Sequence, residues 1–309
     1  MQAAVVTTPG TPEFGEFQEP VESAEHAVVT VRAAAVSALD RILATGKHYL
    51  SPKQWPAVAG RDGVGTLADG TRVYFDGPVP PYGSMAEKTL VPRGALIEVP
   101  EGTDDAVAAT LGNAGTAAWL PLSWRAPVQP GQTVAILGAG GTVGRLAVQV
   151  AKLLGAGRVV AVDRGAEKLA ALRALGADIT VDTTAESDLT AALRAAAPNG
   201  LDVIVDYLWG APALAAMNAA AQRARVVHIG TMAGEELSVP GALLRSRQLE
   251  VLGFVGSFAP QPLRIEAYQR LAKLSVEGKL DVPVRRFPLA EVRQAWGFRE
   301  GATRAVLTP

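Results

Sequence analysis

The chain predicts an α/β fold: a doubly wound parallel sheet set beside a compact, barrel-like region of short strands. Three observations carry this expectation. From Thr133 onward short apolar strands alternate regularly with helical stretches. Before that point Gly and Pro punctuate short strand-like runs. From Gln261 the alternation stops and the texture changes again. The expected division is 116–260 for the sheet and 1–115 plus 261–309 for the barrel-like part.

The centre of the pattern is QTVAILGAGGTVGRLAVQVAKLLGAGRVVAVDR, residues 132–164. Thr133 to Leu137 is an uncharged run containing β-branched residues, which reads as a buried strand. Gly138, Gly140, Gly141 and Gly144 follow at once. Val143, Leu146, Ala147, Val150, Ala151 and Leu154 then recur at helical spacing. A second strand, Val159 to Val162, ends on Asp163.

Strand, glycine turn, helix, strand and acid make up a dinucleotide-binding (Rossmann) unit. Small residues let a pyrophosphate approach the backbone, and the helix directs N–H groups and the positive end of its dipole at the phosphates. Gly138, Gly140, Gly141, Thr142, Val143 and Gly144 are therefore candidate cofactor contacts. Asp163 lies nineteen residues after Gly144, where a carboxylate meets ribose hydroxyls. That favours NADH, whereas the neighbouring Arg164 and Lys168 could take the extra phosphate of NADPH. Both cofactors stay open.

The remaining elements follow in order. Ala27 to Ala35 reads as a strand, residues 60–74 as two short strands around Asp69-Gly70, and Met85 to Val91 and Ala95 to Val99 as two more. Thr103 to Trp124 is Ala-rich and helical in pattern. After Asp163 come helices at 167–175, 186–197 and 212–221, and strands at 179–181, 203–206, 226–229 and 249–254. Gly230, Thr231, Phe254 and Val255 follow the late strands and so face the nicotinamide end of the sheet. A helix over 263–277, strand-like pieces and a helix near 291–300 close the pattern.

Composition narrows the classes. A net charge of −1 argues against nucleic-acid or membrane-surface partners. No apolar run reaches membrane-spanning length and the start lacks a secretory pattern, so the cytoplasm is the default compartment. The absence of cysteine removes disulfides and thiolate ligands. His26, His48 and His228 are scattered, which leaves no local zinc motif.

Five segments together resemble the medium-chain dehydrogenase/reductase superfamily, and within it the zinc-free quinone oxidoreductase branch. They are AAAVSALDRILATG (33–46), AGRDGVGTLADGTRVYF (59–75), YGSMAEKTLVP (82–92), residues 132–164 and EGKLDVPVRRFPLAEVRQAW (277–296). The resemblance implies a Rossmann domain inserted in a GroES-like β-barrel catalytic domain. It also implies hydride transfer from NADPH or NADH to a quinone or an α,β-unsaturated carbonyl, without zinc, in a homodimer formed through the edge strand 249–254. Zinc-using relatives carry a cysteine where this chain has Ser37, and a His-Glu pair where it has Arg61-Asp62. The branch's frequent Asn-Pro is replaced by Ser37-Ala38.

The resemblance also assigns residues. Tyr49 stands where relatives carry an active-site tyrosine, and Ser37 and Asp40 fall in the active-site segment. Asn113 and Thr116 correspond to nicotinamide contacts, and Arg304 to an arginine at the cofactor pyrophosphate. Cap and turn hydrogen bonds are the rival reading for Ser37 and Asp40, as is helix capping for Asn113 and Thr116. Two other functions stay open: a nucleotide-binding protein without turnover, and an alcohol dehydrogenase with an unusual metal site.

Overall fold

The computed structural model describes residues 1–309. Two strands that the sequence pattern does not announce begin the chain, β1 (Gln2–Val6) and β2 (Glu13–Glu16). They are followed by β3 (His26–Ala35), α1 (Ala38–Leu43), β4 (Ala57–Val58), β5 (Asp62–Thr66) and β6 (Arg72–Asp76). Next come β7 (Lys88–Pro92), β8 (Leu96–Glu98) and α2 (Asp105–Thr110), then a π-helical turn over Leu111–Gly115. The strand expected from Met85 begins only at Lys88. Before that point the backbone bonds mostly to other segments: Ala4 N–H to Met85 O, Met85 N–H to Ala59 O and Glu87 N–H to Gln2 O.

The middle of the chain holds α3 (Thr116–Leu120), a second π-helical turn (Pro121–Arg125), β9 (Thr133–Leu137), α4 (Thr142–Leu153) and β10 (Arg158–Asp163). It continues with α5 (Ala166–Arg173), β11 (Ile179–Asp182), α6 (Leu189–Ala196), β12 (Leu201–Asp206), α7 (Gly210–Asn218), β13 (Ala220–His228), α8 (Gly241–Arg247) and β14 (Glu250–Gly253). The helix expected to reach residue 221 stops at Asn218, because Ala220 already pairs with Leu201 of β12. Helix α6 starts later than expected because the Asp188 side chain caps it, accepting from Ala191 N–H. The chain closes with α9 (Gln261–Val276), β15 (Val284–Pro288), α10 (Val292–Gly297) and β16 (Arg304–Thr308).

These elements form two compact units, one of residues 1–113 with 268–309, the other of residues 114–267. In the first, strands run in the order β15-β16-β3-β5-β6-β8, with β7 also on β3. All pairings in this sheet are antiparallel except β15 with β16. Strand β3 is long enough to seat β7 against residues 26–30 and β16 against Ala34 and Ala35. Val29, Val31, Phe75, Met85, Val91, Phe287, Trp296 and Leu307 share its core. The β5–β6 turn uses Asp69-Gly70 as expected, with Gly70 at φ +87 and Asp69 accepting from Thr71 N–H.

In the second unit six parallel strands run in the order β11-β10-β9-β12-β13-β14. Chain order reverses between β9 and β12, which makes their carboxyl ends the topological switch point where such sheets take ligands. Residues 134–137 of β9 and 203–206 of β12 are buried, as strands covered on both faces should be.

Candidate functional site

The switch point in the second unit is the glycine turn. Gly138 adopts φ +85, open to glycine at little strain, and a Cβ there would meet Leu208 and Tyr207 just past β12. A Cβ on Gly144 would stand 2.2 Å from Gly138 O, so this glycine lets α4 pack onto the turn. Gly141 behaves differently. Its φ is −84, it is exposed, and a Cβ would find only Gly138 O at 3.9 Å. Gly141 is also the N-cap of α4 and brings no side chain to it, and no acid sits in the first turn. Thr142, Val143 and Gly144 therefore open a helix whose positive end is not neutralised from within.

Asp163 closes the site on the β10 side. Its Oδ2 accepts from Gly140 N–H at 2.6 Å and its Oδ1 from Arg164 N–H at 2.7 Å. A Cβ on Gly140 would press on Asp163 Oδ2 at 3.0 Å, so acid and glycine fix each other. Arg164 and Lys168 are exposed and without ion pairs, and Lys168 Cβ lies 3.5 Å from the same Gly140 position. Four of the expected residues thus stand together: an engaged carboxylate, a glycine and two uncommitted cations.

At the other end of the sheet, Gly230 packs so closely on Tyr207 that a Cβ would meet its carbonyl at 2.8 Å, while Thr231 is exposed. Thr116 Oγ1 lies 3.6 Å from the Cβ position of Gly256, with the Phe254 ring next at 3.9 Å. Phe254 is buried edge-on against Trp124, and Val255 is exposed. The sequence reading does not single out Asp206 and His228. They are register partners on β12 and β13, and His228 Nδ1 lies 3.7 Å from Asp206 Oδ2. Asp206 Oδ1 accepts from Leu208 and Trp209 N–H, and burial raises its pKa from the ordinary value. The pairing of two polar strand ends on neighbouring strands is the available signal.

In the first unit Ser37 and Asp40 form a capping box on α1. Ser37 Oγ accepts from Asp40 N–H at 3.1 Å, and Asp40 Oδ2 accepts from Ser37 N–H and Oγ at 2.7 and 2.6 Å. Asp40 Oδ1 takes Arg61 N–H at 2.9 Å. Both side chains thus take part in holding the loop. Tyr49 is 60% exposed, and its ring lies tilted against His48 with centroids 4.1 Å apart. Arg304 donates to Val36 O at 3.0 Å from an interior position, and burial lowers its pKa.

Asp62 is a strongly perturbed acid of this unit. It is buried and accepts from Tyr74 hydroxyl and Asn113 N–H, both at 3.1 Å. Burial, followed by the charges of Asp40 and Asp76, pushes its pKa up to about 7. Arg61 is ion-paired with Asp76 at 3.0 Å. The positions that hold zinc ligands in relatives therefore carry a capping serine, a paired arginine and a hydrogen-bonded acid. No three His, Cys, Asp or Glu side chains gather as a metal site, and no helix is long and apolar enough to cross a membrane.

Comparison with known proteins agrees with this geometry. Residues 142–275 match the family described as zinc-binding dehydrogenase. Alcohol dehydrogenase 1 of Emericella nidulans is 35% identical over 71% of this chain and 61% of its own length. A quinone oxidoreductase-like protein 2 homolog of Nematostella vectensis is 27% identical over 87% of this chain and 76% of its own. The chain thus spans about three fifths of the alcohol dehydrogenases it matches. The quinone oxidoreductase of Thermus thermophilus superposes over all of both chains with a TM-score of 0.80 at 29% identity. With the inserted parallel sheet and its glycine turn, these matches support a relationship to the quinone oxidoreductase branch of the medium-chain dehydrogenase/reductase superfamily.

Proposed function

We propose that this chain is a zinc-independent reductase that uses NADPH, or less well NADH, to reduce a quinone or an α,β-unsaturated carbonyl. The observation that carries the reading is the glycine turn with Asp163, Arg164 and Lys168 around it. The residues present fit a dinucleotide: Gly141 leaves the end of α4 open, with no side-chain cap and no acid in the first turn. When bound, the reduced nicotinamide supplies the hydride.

The chain's own residues bind and orient. Gly141, Thr142 and Val143 present the positive end of α4 to the diphosphate; Arg304 is the arginine that the resemblance assigns to the cofactor. Asp163 already accepts two backbone N–H groups, while Arg164 and Lys168 stand without acidic partners; this balance favours a ribose phosphate and hence NADPH. The Thermus relative, described in complex with NADPH, supports this preference. Thr116, Gly230, Thr231, Phe254 and Val255 line the nicotinamide end, and the resemblance assigns Asn113 as a further nicotinamide contact. Tyr49 donates a hydrogen bond to the acceptor oxygen as charge develops there, and Ser37 with Asp40 holds the neighbouring loop.

Zinc does not fit this reading. Ser37 is spent on Asp40, Arg61 is a cation, and Asp62 is engaged by Tyr74 and Asn113. The exposed Val251 on edge strand β14 supports a homodimer built along that edge, and the cytoplasm is the proposed compartment. The test follows nicotinamide absorbance with NADPH and NADH against a quinone and an enone, in metal-free buffer. Acceptor-dependent oxidation that survives chelation is expected. Binding of cofactor without turnover on either acceptor would overturn the proposed reaction.

A further inference from the structure

Trp209, at the start of α7, has a backbone that an L side chain rarely adopts. Its φ is +59 and its ψ −167, a region that essentially only glycine occupies without strain. A residue held there persists only where its surroundings over-determine it. Two contacts do so. The Trp209 N–H, with that of Leu208, donates to Asp206 Oδ1 at 2.9 Å. The indole ring lies against the His228 imidazole with centroids 4.3 Å apart.

The partners of Trp209 are themselves unusual. Asp206 is fully buried, yet its Oδ2 has no hydrogen-bond partner, and neither has His228 Nδ1, 3.7 Å away. That is ion-pair distance but too long for a hydrogen bond. Buried polar atoms left unsatisfied are costly, and those that persist in a fold call for a reason.

Position supplies one. The cluster joins the two loops that leave β12 and β13. Asp206 O accepts from Ile229 and Gly230 N–H, Tyr207 O from Met232 N–H, and Leu208 O from Ala233 N–H. On its other side the first loop abuts the glycine turn: Tyr207 N–H donates to Leu137 O, and a Cβ on Gly138 would stand 3.2 Å from Leu208. Stack and pair thus lie between the turn that opens α4 and the loop carrying Gly230 and Thr231.

We propose that Trp209, His228 and Asp206 act as one set of positioning residues for the cofactor. The indole holds the imidazole beside the buried carboxylate, and the set keeps the 206–210 and 229–234 loops in the shape that receives the nicotinamide half. The strain at Trp209 is retained for that shape rather than for stability. This rests on the reading of the glycine turn as the nucleotide site.

The test compares wild type with Trp209→Gly, Trp209→Phe, His228→Ala and the Trp209→Gly/His228→Ala pair. Cofactor fluorescence gives the Kd for NADPH, and circular dichroism gives the thermal midpoint. Trp209→Gly should weaken NADPH about tenfold and leave the midpoint near that of wild type, since relief of the left-handed φ offsets the lost ring contact. Trp209→Phe, which keeps a ring, should return the affinity to within about threefold of wild type. His228→Ala should cost as much affinity as Trp209→Gly, and the double variant no more than either, as for residues acting as a unit. His228 is partly exposed, so its variant carries the test should Trp209→Gly not fold. NADPH affinity within about twofold of wild type in the folded single variants would overturn the proposal. So would a midpoint that falls in step with affinity across the series, which marks a purely structural role. A wild type that binds no NADPH would overturn this proposal and the nucleotide site together, whereas unchanged affinity in variants of a binding wild type overturns this proposal alone.

Discussion

Tyr74 donates its hydroxyl to Asp62 at 3.1 Å while its ring stacks on Tyr268 at 4.6 Å. Tyr268 in turn donates to Ala108 O in α2 at 3.3 Å, and Asp62 accepts the N–H of Asn113. One buried acid thus ties β5, β6 and the π-helical turn together, and indirectly α2 and α9.

This acid should make stability depend on pH. Its folded pKa, about 7, lies above the ordinary value. Between those two values the unfolded chain has released the proton and the folded chain holds it, so stability falls as pH rises through that window. The scale is about 4 kcal/mol at about 1.4 kcal/mol per pKa unit. Denaturant unfolding at pH 4.5 and pH 7.5 checks this: Asp62→Asn should show a markedly smaller loss than wild type. Equal losses in both would remove Asp62 as the cause.

Gly112 lies in the π-helical turn directly against this tyrosine. A Cβ there would fall 1.9 Å from the Tyr74 ring. Gly112→Ala should therefore destabilise the fold by about 1–3 kcal/mol, the range for overpacking a filled core. A thermal melt reads the loss directly, and an unchanged midpoint would contradict the packing described.

The glycines of the nucleotide turn should separate binding from folding. Gly141→Val places a side chain where there is room and a permitted φ, so the fold should persist while NADPH affinity drops at least a hundredfold. Gly144→Val drives a side chain into Gly138 O and Ala139, and should fail as a folded protein. Circular dichroism with cofactor fluorescence reports both. Undiminished NADPH binding by Gly141→Val would move the cofactor elsewhere.

Arg164 and Lys168 should set the choice of cofactor. Replacing both with Leu is expected to lower kcat/KM for NADPH at least tenfold and to leave NADH within about twofold. Comparable losses with both cofactors would deny them a role at the ribose phosphate.

Strand β14 should carry self-association. Val251→Glu puts a charge on an exposed edge position and should shift the proposed dimer toward monomer in light scattering. An unaltered mass would exclude this edge as the contact.

Much of this is legible in the residues. The unit from Thr133 to Asp163 can be read because its apolar runs, glycines and acid are local signals, and the strand and helix fall within a residue or two of their expected bounds. The residues announce strand β13 too late because Ala219, Ala220 and Ala221 look helical, and only pairing with β12 makes Ala220 extended. Strands β1 and β2 give no signal for a related reason: they are short and hold their shape through each other. The contact of Arg41 with Trp296 O is invisible in the sequence because the two lie 255 positions apart. Ser37 and Asp40 can be read as a turn and cap, and only their geometry reveals how fully each is engaged.

Strand β16 completes the first unit by pairing with Ala34 and Ala35 of β3. During vectorial synthesis on a ribosome, the second unit leaves the exit tunnel whole while the first still waits for residues 268–309. Domains fold as units in order of emergence, so the nucleotide-binding sheet can be native before its host is. The early strands must stay unaggregated through that delay, with the buried edge of β3 uncovered until the last strand arrives.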